Sequence, residues 1–389
     1  MSARDDAVVP REPRWAPDLL ARAYLSRVAE PPAPGLAGFV VEVGPVEAAE
    51  RVRRGDVPAP VAAETAARRG VERAAADLAA AAASGMRLLT PEHPEWPAGP
   101  FEALAGCGVG ELAPPVALWV TGPGRLAALC ERAVAVVGAR AATGYGTHVA
   151  GELGAALAQR SCTVVSGAAI GIDGAAHRGA LGAAGATVAV LACGADRAYP
   201  RAHETLLARI AGTGLVVSEY PPGSVPGRHR FLVRNRLIAG LAAGTVVVEA
   251  GLRSGATRTA TDTASLGRPV MAVPGPVTSG MSAGCHRLLR EGAVLVTRAE
   301  EVLEGIGPIG AQLALDPPVP RRATDGLEPA AQLVHDAFPA GGACGTRWLA
   351  EEAGVPLGAV RVALVELERR DLVEHRDGSW RLHPRSVGR

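Results

Sequence analysis

Residues 134–137 form an apolar β-run that stops at Gly138. A loop carrying Gly144 and Gly146 follows, and then Val149, Leu153 and Leu157 fall on one helical face. A second run at 163–165 enters Ser166-Gly167, and another glycine loop leads to a helix start near Asp173. Five more β-runs lie in TVAVLACG, GLVVSEY, GTVVVEA, PVMAVPG and AVLVT, most of them followed by helical spacing such as 203–211 or 233–243. Strand, loop and helix in alternation predict an α/β fold, an extended Rossmann-like parallel sheet over 114–306.

The flanks read differently. Leu19, Leu20, Tyr24, Leu25 and Val28 predict a helix, Gly44-Pro45 introduces a second over 45–54, and an alanine-rich stretch at 61–83 favours a third. Short β-runs at 86–90 and 116–120 are separated by PEHPEWPAGP, which gives a small helical amino-terminal domain with its lead-in over 1–113. Residues 307–327 are rich in Pro and Gly and read as a linker. Within 328–389, helical patterns at 330–338, 346–353 and 357–370 precede LVEHRDGSWRLH, whose Asp377-Gly378 is a hairpin turn. That order resembles a winged helix. Its third helix is neutral, with Arg361, Arg369 and Arg370 offset by Glu366, Glu368 and Asp371, so contacts with protein or weak duplex binding are expected of it.

Composition changes the picture in two places. A net charge of +1 over 389 residues rules out a globally basic nucleic-acid binder, so any such site needs locally concentrated arginine, and no lysine occurs. The six cysteines are scattered without a C-x-x-C pair, which argues against zinc and against a disulfide framework. No apolar run has membrane-spanning length and residues 1–15 lack the apolar core of a secretion signal, so a cytoplasmic location is expected.

Candidate chemistry gathers on the loops. Glycines where a parallel strand meets a helix let anions approach unpaired N–H groups, although they serve equally as tight turns, and G-x-G-x-x-G is absent. The densest basic cluster is PGRHRFLVRNRLIAG, with Arg228, Arg230, Arg234 and Arg236 around Phe231 and beside Asn235. Cations attract phosphates and the ring offers a stacking surface to an unpaired base; a solvated charged loop is the plainer reading. Arg140 lies two residues past the first run, Ser166 and Gly167 can supply donors, and Ser254, Gly255 and Thr259 make a third polar turn that either binds phosphate or caps a helix. Asp173 and His177 stand four apart on one helix, yet no nucleophile or metal set accompanies them, so capping and loop hydrogen bonding are expected rather than catalysis. Glu219 and Glu249 end β-runs, where they either orient the arginines or hold the rim. The arginines are expected to crowd one edge of the sheet.

The blocks VVGAR, YG, SGAAIGIDGAAH, GADRAYP, SEYPPG, FLVRNRLIAGL, VVVEAGLRSGATRTA and AVPGPVTSGMSAGCHRLLREGA, in this order from about residue 87 to 304, closely resemble the DNA processing protein A family (DprA, also called Smf). The resemblance implies a non-catalytic protein without cofactor that binds single-stranded DNA and helps load the RecA recombinase in natural transformation. It also implies a phosphate-contacting role for Arg140 and a homodimer through the main domain, with Leu288 and Leu289 as candidate contacts. Two departures stand out: Ala139 replaces the serine of a Gly-Ser-Arg motif, and Leu232 follows Phe231 where the family has proline. The alternatives are a nucleotide-processing Rossmann-like enzyme of the Lonely Guy phosphoribohydrolase type, whose P-G-G-x-G-T-x-x-E motif is absent, and a winged-helix transcription factor.

Overall fold

The computed structural model describes residues 15–307 and 323–383, and the chain forms two compact units, 1–314 and 315–389. Most of the linker expected at 307–327 lies outside the described residues. Unit one opens with α1 (Pro17–Val28), α2 (Pro34–Val43), α3 (Pro45–Arg54), α4 (Ala59–Thr65) and α5 (Ala74–Ala83). Proline sits in the first turn of the first four, where its missing N–H would have no intrahelical partner anyway. These helices bury Tyr24, Leu25, Leu36, Phe39 and Val52 together with Met86, Leu88 and Trp119, which belong to the first two strands of the main sheet.

Those strands, β1 (Met86–Leu89) and β2 (Leu118–Thr121), flank α6 (Ala98–Gly106) and pair antiparallel with each other. The domain boundary expected near residue 114 therefore falls between two paired strands, and the helical layer is continuous with the sheet. After α7 (Leu126–Cys130) the strict alternation begins: β3 (Ala133–Val137), α8 (Gly144–Gln159), β4 (Thr163–Ser166), α9 (Ile172–Gly182), β5 (Thr187–Leu191), α10 (Glu204–Thr213) and β6 (Leu215–Ser218). It continues with α11 (Arg228–Gly240), β7 (Gly244–Val247), α12 (Gly255–Ser265), β8 (Val270–Ala272), α13 (Ala283–Arg290), β9 (Val294–Leu295) and α14 (Ala299–Ile306). All seven expected runs are strands, paired in parallel, in a nine-stranded sheet of order β1-β2-β6-β5-β4-β3-β7-β8-β9. Both faces are covered, so the strands are continuously apolar: Val134 and Val136 enter one core while Ala133, Ala135 and Val137 enter the other.

Chain order reverses at β3. The strands β4, β5 and β6 step away on one side, and β7 returns to pair on the other, which leaves a crevice beyond the carboxyl ends of β3 and β7. Leu288, an expected dimer contact, belongs to the core, and Leu289 packs against it. Among the described residues no helix is long and apolar enough to cross a membrane, and the six cysteines are free.

Unit two contains α15 (Pro329–Asp336), α16 (Thr346–Ala353) and α17 (Leu357–Arg369), then the antiparallel pair β10 (Val373–Arg376) and β11 (Ser379–Leu382). Val334, Leu349, Val360, Leu364 and Leu367 form its core. The hairpin turns on Asp377 and Gly378, both at positive φ, the conformation that matches the strand twist.

Helices α8 and α9 approach so closely that a Cβ on Gly179 would run into the carbonyl oxygen of Gly151, and one on Gly154 into that of Ala176. Gly179→Ala is expected to cost about 1–3 kcal/mol, the usual range for overpacking. A lower urea midpoint with unchanged slope reads this out; an unchanged midpoint would show that the helices part freely.

Candidate nucleic-acid interface

The crevice at the strand reversal is a cleft of about 460 Å³. Its walls are the loop after β3 (Gly138 to Arg140), the loop after β7 (Arg253, Ser254, Gly255) and one face of α11 (Phe231, Leu232, Arg234, Asn235), and Asp173 lies at its base. Gly138 is required here because a Cβ would meet the Ile172 side chain and the Glu249 carbonyl oxygen. Glu249 fixes the next stretch by accepting hydrogen bonds from the Thr143 N–H (2.9 Å) and hydroxyl (2.7 Å), and its carboxylate fills the space a side chain on Gly146 would need. Of the two roles open to Glu249, its contacts match holding the rim.

Three guanidinium groups border the cleft. Arg140 and Arg253 are exposed on opposite walls, and Arg140 lies 4.8 Å over the Phe231 ring. Arg234 is 5% exposed and donates through Nη1 to the carbonyl oxygens of Gly167 (2.7 Å) and Val190. Burial pulls its pKa down to about 10, against the pull of Asp173, so it stays charged at neutral pH. Asp173 is buried too, and its pKa is raised by that burial although Arg234 and two N–H groups, those of Gly167 (3.2 Å) and Ala169 (3.4 Å), favour the carboxylate. Asn235 Nδ2 donates to the Gly255 carbonyl oxygen (3.3 Å) and ties α11 to α12, whose N-cap Ser254 accepts from the Ala256 N–H. Fixed positive charge beside a helix N-terminus favours an anion.

Beside the cleft, sharing Arg140 and Phe231 as a wall, lies a second cavity of about 290 Å³ formed by Ile170, Tyr199 and Pro200. The Tyr199 and Phe231 rings are 5.4 Å apart and tilted by 41°. The first cavity offers charge and the second offers ring faces.

Several expected residues lie elsewhere. The spacing predicts the helix from 233, but α11 begins at Arg228, and at 100° per residue Arg234 and Arg236 fall on opposite sides while Arg230, one turn before Arg234, is drawn to a different partner. Arg236 is fully buried on the far side, held by both oxygens of Glu219 (2.7 Å each) and the Ala113 carbonyl oxygen (2.8 Å), so Glu219 does orient an arginine, but into the core. Arg230 is engaged by both oxygens of Glu30 (2.8 Å each) and lies over the Tyr220 ring. Arg228 is exposed at the helix start and does not line the cleft. The four guanidinium groups therefore do not crowd one edge. Ser166 is buried and donates to the Val136 carbonyl oxygen (2.6 Å), which makes it a strap between β4 and β3. Gly167 borders the second cavity while its N–H and carbonyl serve Asp173 and Arg234. Thr259 is buried one turn down α12. Arg253 escaped the sequence reading; its signal was an arginine directly before an N-cap serine on a loop that follows a β-run.

Asp173 and His177 do not form a working pair. Asp173 caps the 167–169 loop instead of its own helix, and His177 is buried against β5, 2.7 Å from the Thr187 hydroxyl. That hydroxyl spends its proton on the Val164 carbonyl oxygen, so His177 Nδ1 is the donor to it. Burial, reinforced by the charges of His203, Arg234 and Arg178, pulls the His177 pKa from its ordinary 6.5 to about 3. Between those values the unfolded chain binds a proton that the folded one refuses, so this group removes stability as pH falls from 6.5 toward 3 and contributes nothing above 6.5. His177→Asn is expected to lose less stability than the wild type between pH 6.5 and 4 in urea titrations; parallel losses would contradict this.

Comparison with known proteins agrees with this architecture. Residues 87–307 match the family described as DNA recombination-mediator protein A. A Mycobacterium tuberculosis protein bearing the DprA name is 54% identical over 369 residues, covering 94% of this chain and 95% of that one. The X-ray structure of DNA processing protein A from Streptococcus pneumoniae aligns with 75% of this chain and 98% of that chain, at TM-score 0.59 and 30% identity. A chain of the Helicobacter pylori DNA processing protein A, described for its single-stranded DNA binding mode, aligns over 56% of this chain and 94% of that one, at TM-score 0.48 and 26% identity. With one family matched across more than half its length and a relative aligned almost end to end, the chain belongs to the DNA recombination-mediator protein A family, the DNA processing proteins called DprA or Smf.

Proposed function

We propose that unit one binds single-stranded DNA, with phosphates drawn to the cleft bordered by Arg140, Arg234 and Arg253 and a base lodged against Phe231 and Tyr199. The observation that carries this reading is the shared wall: Arg140 and Phe231 belong to both cavities, so a backbone site and a base site stand side by side. An unpaired strand presents both groups at once, whereas the bases of a duplex are stacked away from such a pocket. The protein acts by holding the strand and not by catalysis, since Asp173 at the cleft and His177 one turn along the same helix are buried and engaged. The family's description as a recombination mediator supports a role in passing the strand to the RecA recombinase during transformation, and a homodimer through unit one accompanies that role.

With about three phosphates engaged, log affinity for an unpaired oligonucleotide should fall with log salt at a slope of about −2. Arg140→Ala and Arg253→Ala should each flatten that slope by about 0.7. Phe231→Ala should instead cost about 1–3 kcal/mol at unchanged slope, because a stack carries no counterion release. Fluorescence anisotropy across a salt series measures both, and equal affinity for unpaired and duplex oligonucleotides would sink the assignment. Arg370 of unit two, just past α17, pairs with Glu366 (2.8 Å), and Arg361 and Arg369 are balanced by Glu368 and Asp371, so the helix offers no net positive charge. Removing residues 325–389 is expected to leave most of the single-strand affinity; a large loss would move the binding site to unit two.

A further inference from the structure

The first turn of α11 is electrostatically unfavourable as it stands in the sequence. It carries Arg228, His229 and Arg230, and its N-cap, Gly227, offers no side-chain acceptor. Cations at a helix N-terminus oppose the helix dipole, and uncapped N–H groups there fray. The same turn carries Phe231, the residue on the wall shared by the two cavities.

What offsets this comes from a remote part of the chain. Glu30, between α1 and α2, accepts from Arg230 Nε and Nη2 (2.8 Å each) and lies 3.0 Å from His229 Nε2. Arg68 Nη2 holds the same carboxylate from the helical layer at 2.9 Å. Arg230 Nη1 donates to the Val225 carbonyl oxygen, which leaves this guanidinium with partners at Nε, Nη1 and Nη2. Arg230 is thus occupied from within the protein, and Glu30 supplies the negative charge that the turn lacks.

We propose that Glu30 is a positioning residue for DNA binding: from the helical layer it anchors the basic first turn of α11, so that Phe231 stands ordered between the phosphate cleft and the base pocket. The inference rests on the single-strand reading above and assigns the helical layer a part in it. Glu30 does not touch the strand; it acts through Arg230 and His229 on the ring next in sequence.

The test is oligonucleotide affinity across a salt series, together with thermal melting, for the full chain and for Glu30→Gln, Arg230→Gln, Phe231→Ala and Glu30→Gln combined with Phe231→Ala. The wild type serves as the first arm, and failure to bind an unpaired strand there overturns the single-strand reading itself. Given wild-type binding, Glu30→Gln and Arg230→Gln should each weaken it by about five-fold or more, the low end of one base–aromatic stack, at unchanged salt slope. Glu30→Gln should add nothing once Phe231 is gone, a coupling that a purely structural role would not produce. Unchanged affinity with a lowered melting temperature would overturn the proposal. So would tighter binding by Glu30→Gln with a slope flattened by about 0.7 in Arg230→Gln, which would make Arg230 a phosphate contact that Glu30 holds back.

Discussion

Arg234 joins α11 to the ends of two strands. Its guanidinium reaches from the helix to the carbonyl oxygens of Gly167, just past β4, and Val190 in β5, above a buried aspartate that itself holds the Gly167 and Ala169 N–H groups. A buried cation of this kind is tolerated because carbonyl dipoles and a nearby carboxylate replace part of its lost hydration. The remaining positive potential opens onto the cleft, where Arg140 and Arg253 add exposed charge at the surface. The cleft thus combines one buried charge with two exposed ones, and the loops that carry the exposed pair are themselves held, one by Glu249 on Thr143 and the other by Asn235 on Gly255.

The position of that cleft follows from sheet topology. Where strand order reverses, helices leave to opposite faces and the loop ends are not covered. The second cavity is built from chain far away in sequence, Tyr199-Pro200 beyond β5 and Phe231 on α11, and lies beside the first because β4 and β5 are neighbours in the sheet. Arginine is therefore divided by role in this protein. Arg236 and Arg230 hold the fold together through carboxylates, whereas Arg140 and Arg253 remain on the surface of a molecule whose net charge is close to zero.

The helical layer at the amino end is bound into the same body as the sheet. It shares a core with β1 and β2, and Arg27 pairs with Asp77 while reaching the Pro222 carbonyl oxygen near the start of α11. Glu30 extends this attachment to the turn that bears Phe231. Unit two has its own core and its own hairpin.

The sequence by itself determined the seven parallel strands and their helices, because apolar runs of strand length punctuated by glycine admit few other readings once both faces must be buried. It also marked Gly138, Arg140, Phe231, Arg234, Asn235, Ser254 and Gly255, all of which meet in one cleft. It did not reveal that β1 joins the main sheet, since a short antiparallel edge strand looks the same whichever partner it takes. The fate of the arginine cluster was likewise hidden. Residues 228 to 236 are close along the chain, but a helix that starts at Arg228 sets Arg234 and Arg236 on opposite sides, and which of the other guanidinium groups is taken up by a carboxylate depends on Glu30 and Glu219, one about two hundred residues away in sequence. Only tertiary structure brings those partners together, because charge pairing acts across space and leaves no periodic trace in the chain.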